Sequence, residues 1–182
     1  ILTDIDGQAA TDYSGYKVAI SDDGTRIAIG EETALGSQNV KINARGSGQV
    51  RIFDYSESGW VQVGSNIDGE GAGDLFGWPV SLSSDGTRLA VGADNNDDKE
   101  TDAGHVRVYD YTASGWSQIC SDIDGEAEAD KSGYSVSLAG DGTRIAIGAK
   151  YNDGGGNNAG HVRIYEASSC SQVGADLDGA TA

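Results

Sequence analysis

Short apolar runs alternate along the chain with turns rich in glycine and aspartate. In residues 80–82 (VSL) and 89–91 (LAV), large and small side chains occupy alternate positions, which is the period-two pattern of a β-strand. Between the two runs lies Asp85-Gly86, a strong hairpin signal because glycine tolerates the positive φ that tight turns require. The pattern predicts an all-β protein of short antiparallel strands.

The same pattern occurs three times. A segment of the type DGTR(I/L)A(I/V)G spans residues 23–30, 85–92 and 141–148. A strand of the type VR(I/V)(F/Y) follows each segment, at residues 50–53, 106–109 and 162–165. Aligning these segments divides the chain into repeats at residues 4–66, 67–122 and 123–176, with residues 177–182 beginning a further repeat. Tandem copies of this length predict a repeat architecture.

Each repeat contains four predicted strands, and the apolar content falls from the first strand to the fourth. This gradient is typical of a β-propeller blade, whose inner strand lies near the axis and whose outer strand faces water. We therefore predict three four-stranded antiparallel blades. A closed propeller takes about 4–8 blades, so we expect the ring to be incomplete within this chain. We expect a longer chain to supply the remainder, with association between chains or an open stack as the alternatives.

Several segments resemble FG-GAP repeats. The resemblance is carried by DLFG at residues 74–77, VGA at 91–93 and GHVRVY at 104–109. Residues 84–90 are also similar to strand–turn–strand segments of WD40-type propellers. FG-GAP repeats build the β-propeller of integrin α subunits and of many secreted adhesion-type proteins. The resemblance implies a β-propeller, an extracellular or cell-surface location and a structural or adhesive role.

The chain departs from this family at three points, one of which is that the proline ending the family's Gly-Ala-Pro is missing after Gly92-Ala93. Phe-Gly occurs only in the second repeat, and the other repeats have Ser14-Gly15 and Ser132-Gly133 in its place. The family's calcium loop between the first two strands of a blade is replaced here by the short Asp-Gly turn. The calcium ligands of the family therefore have no counterpart in this chain.

Charge excludes one class of partner. The 182 residues contain 29 Asp and Glu against 12 Lys and Arg, a net charge of −17, so no basic footprint for nucleic acid is present. No apolar run approaches the roughly 20 residues that span a bilayer as a helix. The resemblance to adhesion-type proteins implies protein or glycan partners.

Six of the seven arginines occupy equivalent positions in the three repeats. They are Arg26, Arg88 and Arg144 after the Asp-Gly turn, and Arg51, Arg107 and Arg163 in the third strand. We predict that they tie neighbouring blades by binding repeated carboxylates. The expected partners are Asp12, Asp74 and Asp130, or Asp6, Asp68 and Asp124. A ring of arginines that binds an anionic ligand is the alternative.

One acidic loop is a candidate calcium site. Oxygen-bearing side chains alternate at Asp94, Asn96, Asp98, Glu100 and Asp102. Alternating carboxylates on a tight loop can converge on calcium, which takes 6–8 oxygen ligands. The alternative is a solvated acidic loop without a metal ion.

No catalytic arrangement is predicted. His105 and His161 occupy equivalent positions in two repeats, which favours a structural role over catalysis. The two cysteines, Cys120 and Cys170, are not at equivalent positions, and we expect free or intermolecular thiols because the outer strands of neighbouring blades usually lie too far apart for a bridge. The protein is not expected to be an enzyme.

Two further features bear on recognition. Tyr16, Trp78 and Tyr134 are equivalent and either wedge neighbouring blades or stack on sugars. The longest loop, between residues 31 and 48, is a place for specific recognition. The sequence therefore predicts an extracellular structural or adhesive β-propeller module that presents loops to protein or glycan partners. The alternatives are a self-assembling subunit of an extracellular filament or layer, and a glycan-binding or glycan-processing propeller domain.

Overall fold

The chain folds into three antiparallel sheets. The structure is a computed structural model that describes residues 4–31 and 46–180, and within these residues it contains fifteen strands and no helix. The long loop expected to contribute to recognition lies mostly at residues 32–45, outside the described residues. Within the described ranges there is accordingly no helix that could cross a membrane.

The first sheet is formed by the first repeat. Its strands are β1 (Ser14–Ile20), β2 (Arg26–Glu31), β3 (Gln49–Ser56), β4 (Gly59–Gln62) and β5 (Ile67–Asp68). Strands β1 to β4 pair in chain order, and β5 pairs with the beginning of β3 beyond the end of β4. The fourth strand of the blade is therefore interrupted, with β4 and β5 as its two halves.

The second and third sheets repeat this plan. The second contains β6 (Val80–Leu82), β7 (Arg88–Ala93), β8 (His105–Thr112), β9 (Gly115–Gln118) and β10 (Ile123–Asp124). The third contains β11 (Ser132–Leu138), β12 (Arg144–Ala149), β13 (His161–Glu166), β14 (Ser171–Gln172) and β15 (Leu177–Asp178). In both, the first three strands form a meander and the two halves of the fourth pair with the third. The prediction of three four-stranded blades is confirmed, whereas the interruption of the fourth strand was not predicted.

The Asp-Gly turns close the inner hairpin of each blade. In the second blade, Gly86 has a φ of 68°, which glycine adopts without steric cost. The Asp85 carboxylate accepts hydrogen bonds from the backbone N–H and the hydroxyl of Thr87, both at 2.9 Å. A hydrogen bond from the Ser83 hydroxyl is the largest cause of the lowered pKa of Asp85, and the two bonds from Thr87 lower it further. The Asp-Gly-Thr sequence therefore encodes the turn directly.

The hydrophobic core lies between blades. One cluster lies between the first and second blades. The first blade contributes Ala28, Val50 and Ile52, and the second contributes Val80, Leu82, Leu89 and Val91. A second cluster repeats the arrangement one blade further, through Ala90, Val106 and Val108 against Leu138, Ile145, Ile147 and Tyr165. Glycine allows the close approach, since a Cβ at Gly92 would overlap the carbonyl oxygen of Gly133. Each blade is thus stabilised chiefly by its neighbours.

Contrary to the sequence-based expectation of free thiols, Cys120 and Cys170 form a disulfide, with their Cα atoms 6.1 Å apart. Cys120 lies between β9 and β10, in the interruption of the fourth strand of the second blade, and Cys170 lies directly before β14 of the third blade. Both cysteines pack against the core between these blades. Each cysteine lies beside an end of an outer-strand segment rather than within it, so the separation expected between two splayed outer strands does not apply here.

Candidate functional site

The variable segments of the blades meet at one end of the strands. In every blade the first strand begins, the second ends, the third begins and the fourth ends at this end, because the four strands form an antiparallel meander. The loops after β7 and β12 and the segments before β6 and β11 therefore lie side by side. Two kinds of candidate site occur here: an aromatic cleft and a pair of clusters around the histidines.

The aromatic cleft is lined by Tyr16, Trp78, Lys131, Tyr134, Lys150 and Tyr151, with Asp94 at its floor. The rings of Tyr16 and Trp78 are in contact, with centroids 4.3 Å apart and planes inclined by 33°. The ammonium group of Lys17 lies 4.8 Å from the Trp78 ring centroid. The three equivalent aromatics thus do not simply fill the space between blades, since Tyr16 is 47% and Tyr134 is 39% exposed.

The other half of the cleft combines lysine and tyrosine. The Lys150 ammonium lies 3.6 Å from the ring centroid of Tyr134 and 4.8 Å from that of Tyr151. These distances are in the range of cation–π attraction. Lys131 donates a hydrogen bond to the side-chain oxygen of Asn95 at 2.6 Å. The cleft therefore presents flat apolar rings bordered by positive charge.

Asp94 is the buried acid of this cleft. It is 5% exposed, and its Oδ1 has no hydrogen-bond partner among the described groups. Burial raises the pKa of its carboxyl, and the charges of Lys131 and Lys150 offset part of that rise. The side chain is thus held in an environment that disfavours its ionised form.

The structure does not gather the five predicted calcium ligands at one point. Asn96 donates to Asp74 at 2.9 Å and accepts from the backbone N–H of Asp98 at 3.0 Å, so its side chain is engaged within the loop. Asp102 pairs with Lys131 at 2.6 Å. The oxygens diverge because the loop turns between them, and of the five only Asp98 belongs to a candidate metal cluster in the described part of the chain. Glu100 instead accepts from the backbone of Glu128 in the next repeat.

The arginines after the Asp-Gly turns contact the following blade. Arg26 binds Asp54 of its own blade through two bonds of 2.6 and 2.7 Å, and its Nη1 donates to the carbonyl oxygen of Gly86 at 3.0 Å. Arg88 repeats this arrangement with Asp110 and the carbonyl oxygen of Gly142. Arg144 pairs with Glu166.

The third-strand arginines contact the segment that enters their blade. Arg51 and Arg163 donate to the backbone carbonyl oxygens of Asp6 and Asp124, at 2.7 and 2.8 Å. Arg107 pairs with the carboxylates of Glu70 and Asp122, and Arg51 also binds the buried carboxylate of Glu31 in its own blade. The predicted carboxylate partners were therefore wrong, because the arginines bind acids at other positions and reach the neighbouring repeat largely through backbone oxygens.

The two histidines lie in acidic clusters that sequence interpretation missed. Glu70, Asp98, His105 and Asp122 form one cluster, and Glu126, His161 and Asp176 form the other. Both histidine side chains are 1% exposed. Burial, with the charge of Arg107, lowers the pKa of His105 and keeps its imidazole neutral. The signal in the sequence was that a Glu, a His and an Asp occupy equivalent positions in the second and third repeats.

Comparison with known proteins adds family and fold. The model of the FG-GAP repeat family matches residues 60–109 and 121–165. No curated protein sequence matches the chain.

Solved structures that are similar to this chain include the following three. A hypothetical selenium-binding protein from Sulfolobus tokodaii is 12% identical with a TM-score of 0.64, over 95% of this chain and 43% of that chain. The periplasmic gluconolactonase of Pseudomonas aeruginosa is 19% identical with a TM-score of 0.51, over 84% and 39%. Kuenenia stuttgartiensis hydrazine synthase is 19% identical with a TM-score of 0.52, over 82% and 39%. The chain spans less than half the length of these proteins, and at such identities the similarity is one of fold alone.

Proposed function

The chain belongs to the FG-GAP repeat family, and on this premise we propose that it is an extracellular, non-catalytic β-propeller module that adheres to glycan or protein partners. The aromatic cleft is the proposed contact surface. The similarity to a gluconolactonase concerns the fold, so we propose binding rather than glycan processing.

The observation that carries this proposal is the exposure of aromatic rings at one place. Tyr16, Tyr134 and Tyr151 are 47%, 39% and 46% exposed and line the same cleft as Trp78. Tyrosine and tryptophan combine a large apolar face with a polar group, which suits them to surfaces that bind partners. Three of these residues stand at strand ends of packed blades, so little conformational entropy is lost when a partner stacks on them.

Charge favours an acidic glycan among the partners. The chain has five lysines, and three of them, Lys17, Lys131 and Lys150, lie in or against the aromatic cleft. On a protein with a net charge of −17, this local concentration of lysines makes the surface of the cleft attractive to anions. An oligosaccharide with carboxylate or sulfate groups could stack on the rings and pair with these ammonium groups.

The disulfide supports an extracellular location. Disulfides persist in oxidising compartments and are rare in the cytosol of most organisms. The Cys120–Cys170 bridge is therefore consistent with the secreted and cell-surface proteins in which FG-GAP repeats are found.

A glycan array probed with the untagged chain tests the proposal. We expect binding to acidic oligosaccharides, and we expect Trp78→Ala to lose at least about tenfold in affinity, since stacking on a ring contributes on the order of 1–2 kcal/mol. Trp60→Ala is the matched control, because Trp60 packs edge-to-face against Tyr55 in the outer part of the first blade, away from the cleft. No glycan binding, together with no binding to extracellular-matrix proteins on a parallel array, would overturn the proposal.

Self-assembly is a second candidate, favoured by the two terminal blade faces. Val18 and Ile20 are 58% and 57% exposed, whereas their equivalents in the second blade, Val80 and Leu82, are 8% exposed. At the other end, the third blade has a groove lined by Gly148, Gly160 and Val162, at the position equivalent to the one where Gly92 of the second blade contacts Gly133. The two faces are the two sides of the interface that joins the blades, so either further repeats or a second copy of the chain fits between them.

A further inference from the structure

Three equivalent sites at the variable end of the blades differ in chemistry from repeat to repeat. The residues are Gln8, Gln49 and Asn66 in the first repeat, Glu70, His105 and Asp122 in the second, and Glu126, His161 and Asp176 in the third. The first site is composed of carboxamides. The other two each replace them with two carboxylates and an imidazole, the side chains that bind transition metals.

The carboxamide site is closed by its own hydrogen bonds. Gln49 donates to the side-chain oxygen of Gln8 at 3.1 Å, and Asn66 donates to Gln8 at 2.9 Å and to Gln49 at 3.0 Å. Carboxamides both donate and accept, so the three side chains bond to one another, and Gln49 also donates to the buried carboxylate of Glu31. This site needs no ion.

The histidine sites are not closed in this way. Neither ring nitrogen of His105 has a hydrogen-bond partner among the described residues, and the same holds for Nδ1 of His161. Nδ1 of His105 lies 3.4 Å from a carboxylate oxygen of Asp122, and Nδ1 of His161 lies 3.8 Å from carboxylate oxygens of both Glu126 and Asp176. Buried polar groups are nearly always partnered, so an imidazole aimed at carboxylates without a bond indicates a missing partner.

Charge points to a cation as that partner. In the second repeat the carboxylates of Glu70, Asp98 and Asp122 gather around the single guanidinium of Arg107, which leaves an excess of negative charge. A divalent cation would relieve the repulsion between these acids.

We propose that the Glu70–Asp98–His105–Asp122 and Glu126–His161–Asp176 clusters are two binding sites for a divalent transition-metal ion of the zinc class. One ligand atom from each residue lies within 4.8 Å of the others in both clusters. A neutral imidazole with carboxylates suits zinc, cobalt and nickel better than calcium or magnesium, which prefer oxygen ligands alone. The two sites are distinct from the acidic-loop calcium site predicted from sequence, of which they share only Asp98.

The ligands come from successive blades. Glu70 follows β5 of the first sheet, whereas His105 and Asp122 belong to the second, and Glu126 follows β10 of the second sheet while His161 and Asp176 belong to the third. A bound ion therefore clamps one blade to the next. Gly154 stands at the position of Asp98 in the third repeat, so the third site has one carboxylate fewer and binds more weakly.

Calorimetric titration of the untagged, chelator-treated chain tests the proposal. We expect two equivalents of Zn²⁺ to bind, with calcium and magnesium producing no binding at these sites, and a rise in the melting temperature with zinc. His105→Gln and His161→Gln each introduce the residue that the first repeat carries at the equivalent Gln49. Each should lose one equivalent, the double variant should lose both, and Glu100→Gln, an exposed loop acid outside the clusters, should keep both.

Cobalt absorption provides a measurement that needs no variant. Co²⁺ held by one imidazole and several carboxylates gives d–d bands that differ from those of the aqueous ion, and Zn²⁺ should displace it. Circular dichroism of the double variant establishes that it is folded before its stoichiometry is interpreted. Absence of Zn²⁺ and Co²⁺ binding to the wild type would overturn the proposal, as would two equivalents retained by the folded double variant.

Discussion

Arg88 donates a hydrogen bond from Nη1 to the carbonyl oxygen of Gly142, at 2.7 Å and 54 residues further along the chain. The same guanidinium holds the carboxylate of Asp110 in its own blade through bonds of 2.6 and 2.8 Å. One side chain thus fixes the edge of one blade and the turn of the next. The arrangement is repeated one blade earlier by Arg26, Asp54 and Gly86.

Removing this contact should destabilise the protein. We expect Arg88→Ala to lower the free energy of unfolding by about 1–3 kcal/mol, the range for charge-assisted hydrogen bonds that are partly shielded from water. Arg144→Ala is the matched control, since Arg144 has a 44% exposed side chain and pairs with an exposed glutamate, and it should cost less than about 1 kcal/mol. Urea denaturation measures both, and equal losses would contradict an inter-blade role for Arg88.

The disulfide should contribute substantially to stability. Cys120 and Cys170 are 50 residues apart in sequence, so the bridge restricts a long stretch of the unfolded chain. The chain-entropy model gives about 4 kcal/mol for a loop of this length, with measured values usually in the range of about 2–4 kcal/mol. The Cys120→Ala/Cys170→Ala variant should show a loss in this range by urea denaturation. Wild-type protein with its disulfide reduced is the control and should match the variant, and an unchanged midpoint after reduction would refute the prediction.

Asp94 should make stability depend on pH in the opposite sense to most carboxylates. Burial raises its pKa in the folded state, so the fold holds the proton more tightly than the unfolded chain does. The free-energy cost of burying the ionised carboxylate is therefore absent below the pKa that Asp94 has in the unfolded chain. It develops as the pH rises through the pKa that Asp94 has in the folded protein. We expect the stability of Asp94→Asn relative to the wild type to increase between about pH 3 and about pH 7.

The measurement is urea denaturation of both proteins across that pH range. Glu57→Gln removes an exposed carboxylate elsewhere and controls for the change in net charge. A relative stability of Asp94→Asn that falls as pH rises would show that the ionised carboxylate is stabilising, contrary to the structure.

The terminal faces make a prediction about assembly. If a second copy occupies the face of Val18 and Ile20, the chain forms oligomers at raised concentration, and Ile20→Asp abolishes them without lowering the melting temperature, because Ile20 is 57% exposed. Val61→Asp is the control, since Val61 is 52% exposed on the outer strand β4 and away from the blade faces. Mass photometry and sedimentation would contradict self-assembly if the wild type stays monomeric.

The fold could be predicted from the sequence because its determinants are local. The Asp-Gly-Thr turn is closed by its own side chains, as Asp85 and Thr87 show, and the alternation within β7 marks a strand buried on both sides. Because the pattern occurs three times, a strand with a weak pattern of its own could be assigned from its equivalents in the other repeats. The partners of the arginines could not be predicted in the same way, because a backbone carbonyl such as that of Gly142 has no sequence signature.

The candidate sites could not be predicted in the same way, because they depend on contacts between segments that are far apart in the sequence. Cys120 reaches Cys170 because each lies beside an end of an outer-strand segment and packs against the core between the second and third blades. Glu70 and Asp122 meet His105 for a similar reason, since an interrupted fourth strand brings the ends of two blades together. The contact between Tyr16 and Trp78 was equally hidden, because it joins two different repeats.

Nuclear magnetic resonance of the tryptophan indoles tests the binding surface most directly. The chain has three tryptophans, so each indole N–H can be assigned with the variants Trp60→Phe, Trp78→Phe and Trp116→Phe. Titration with an alginate oligosaccharide, an acidic glycan, should shift the Trp78 signal and leave those of Trp60 and Trp116 in place, while a neutral maltooligosaccharide shifts it less. An unchanged Trp78 signal, or a shift confined to Trp60 or Trp116, would contradict binding of an acidic glycan at the aromatic cleft.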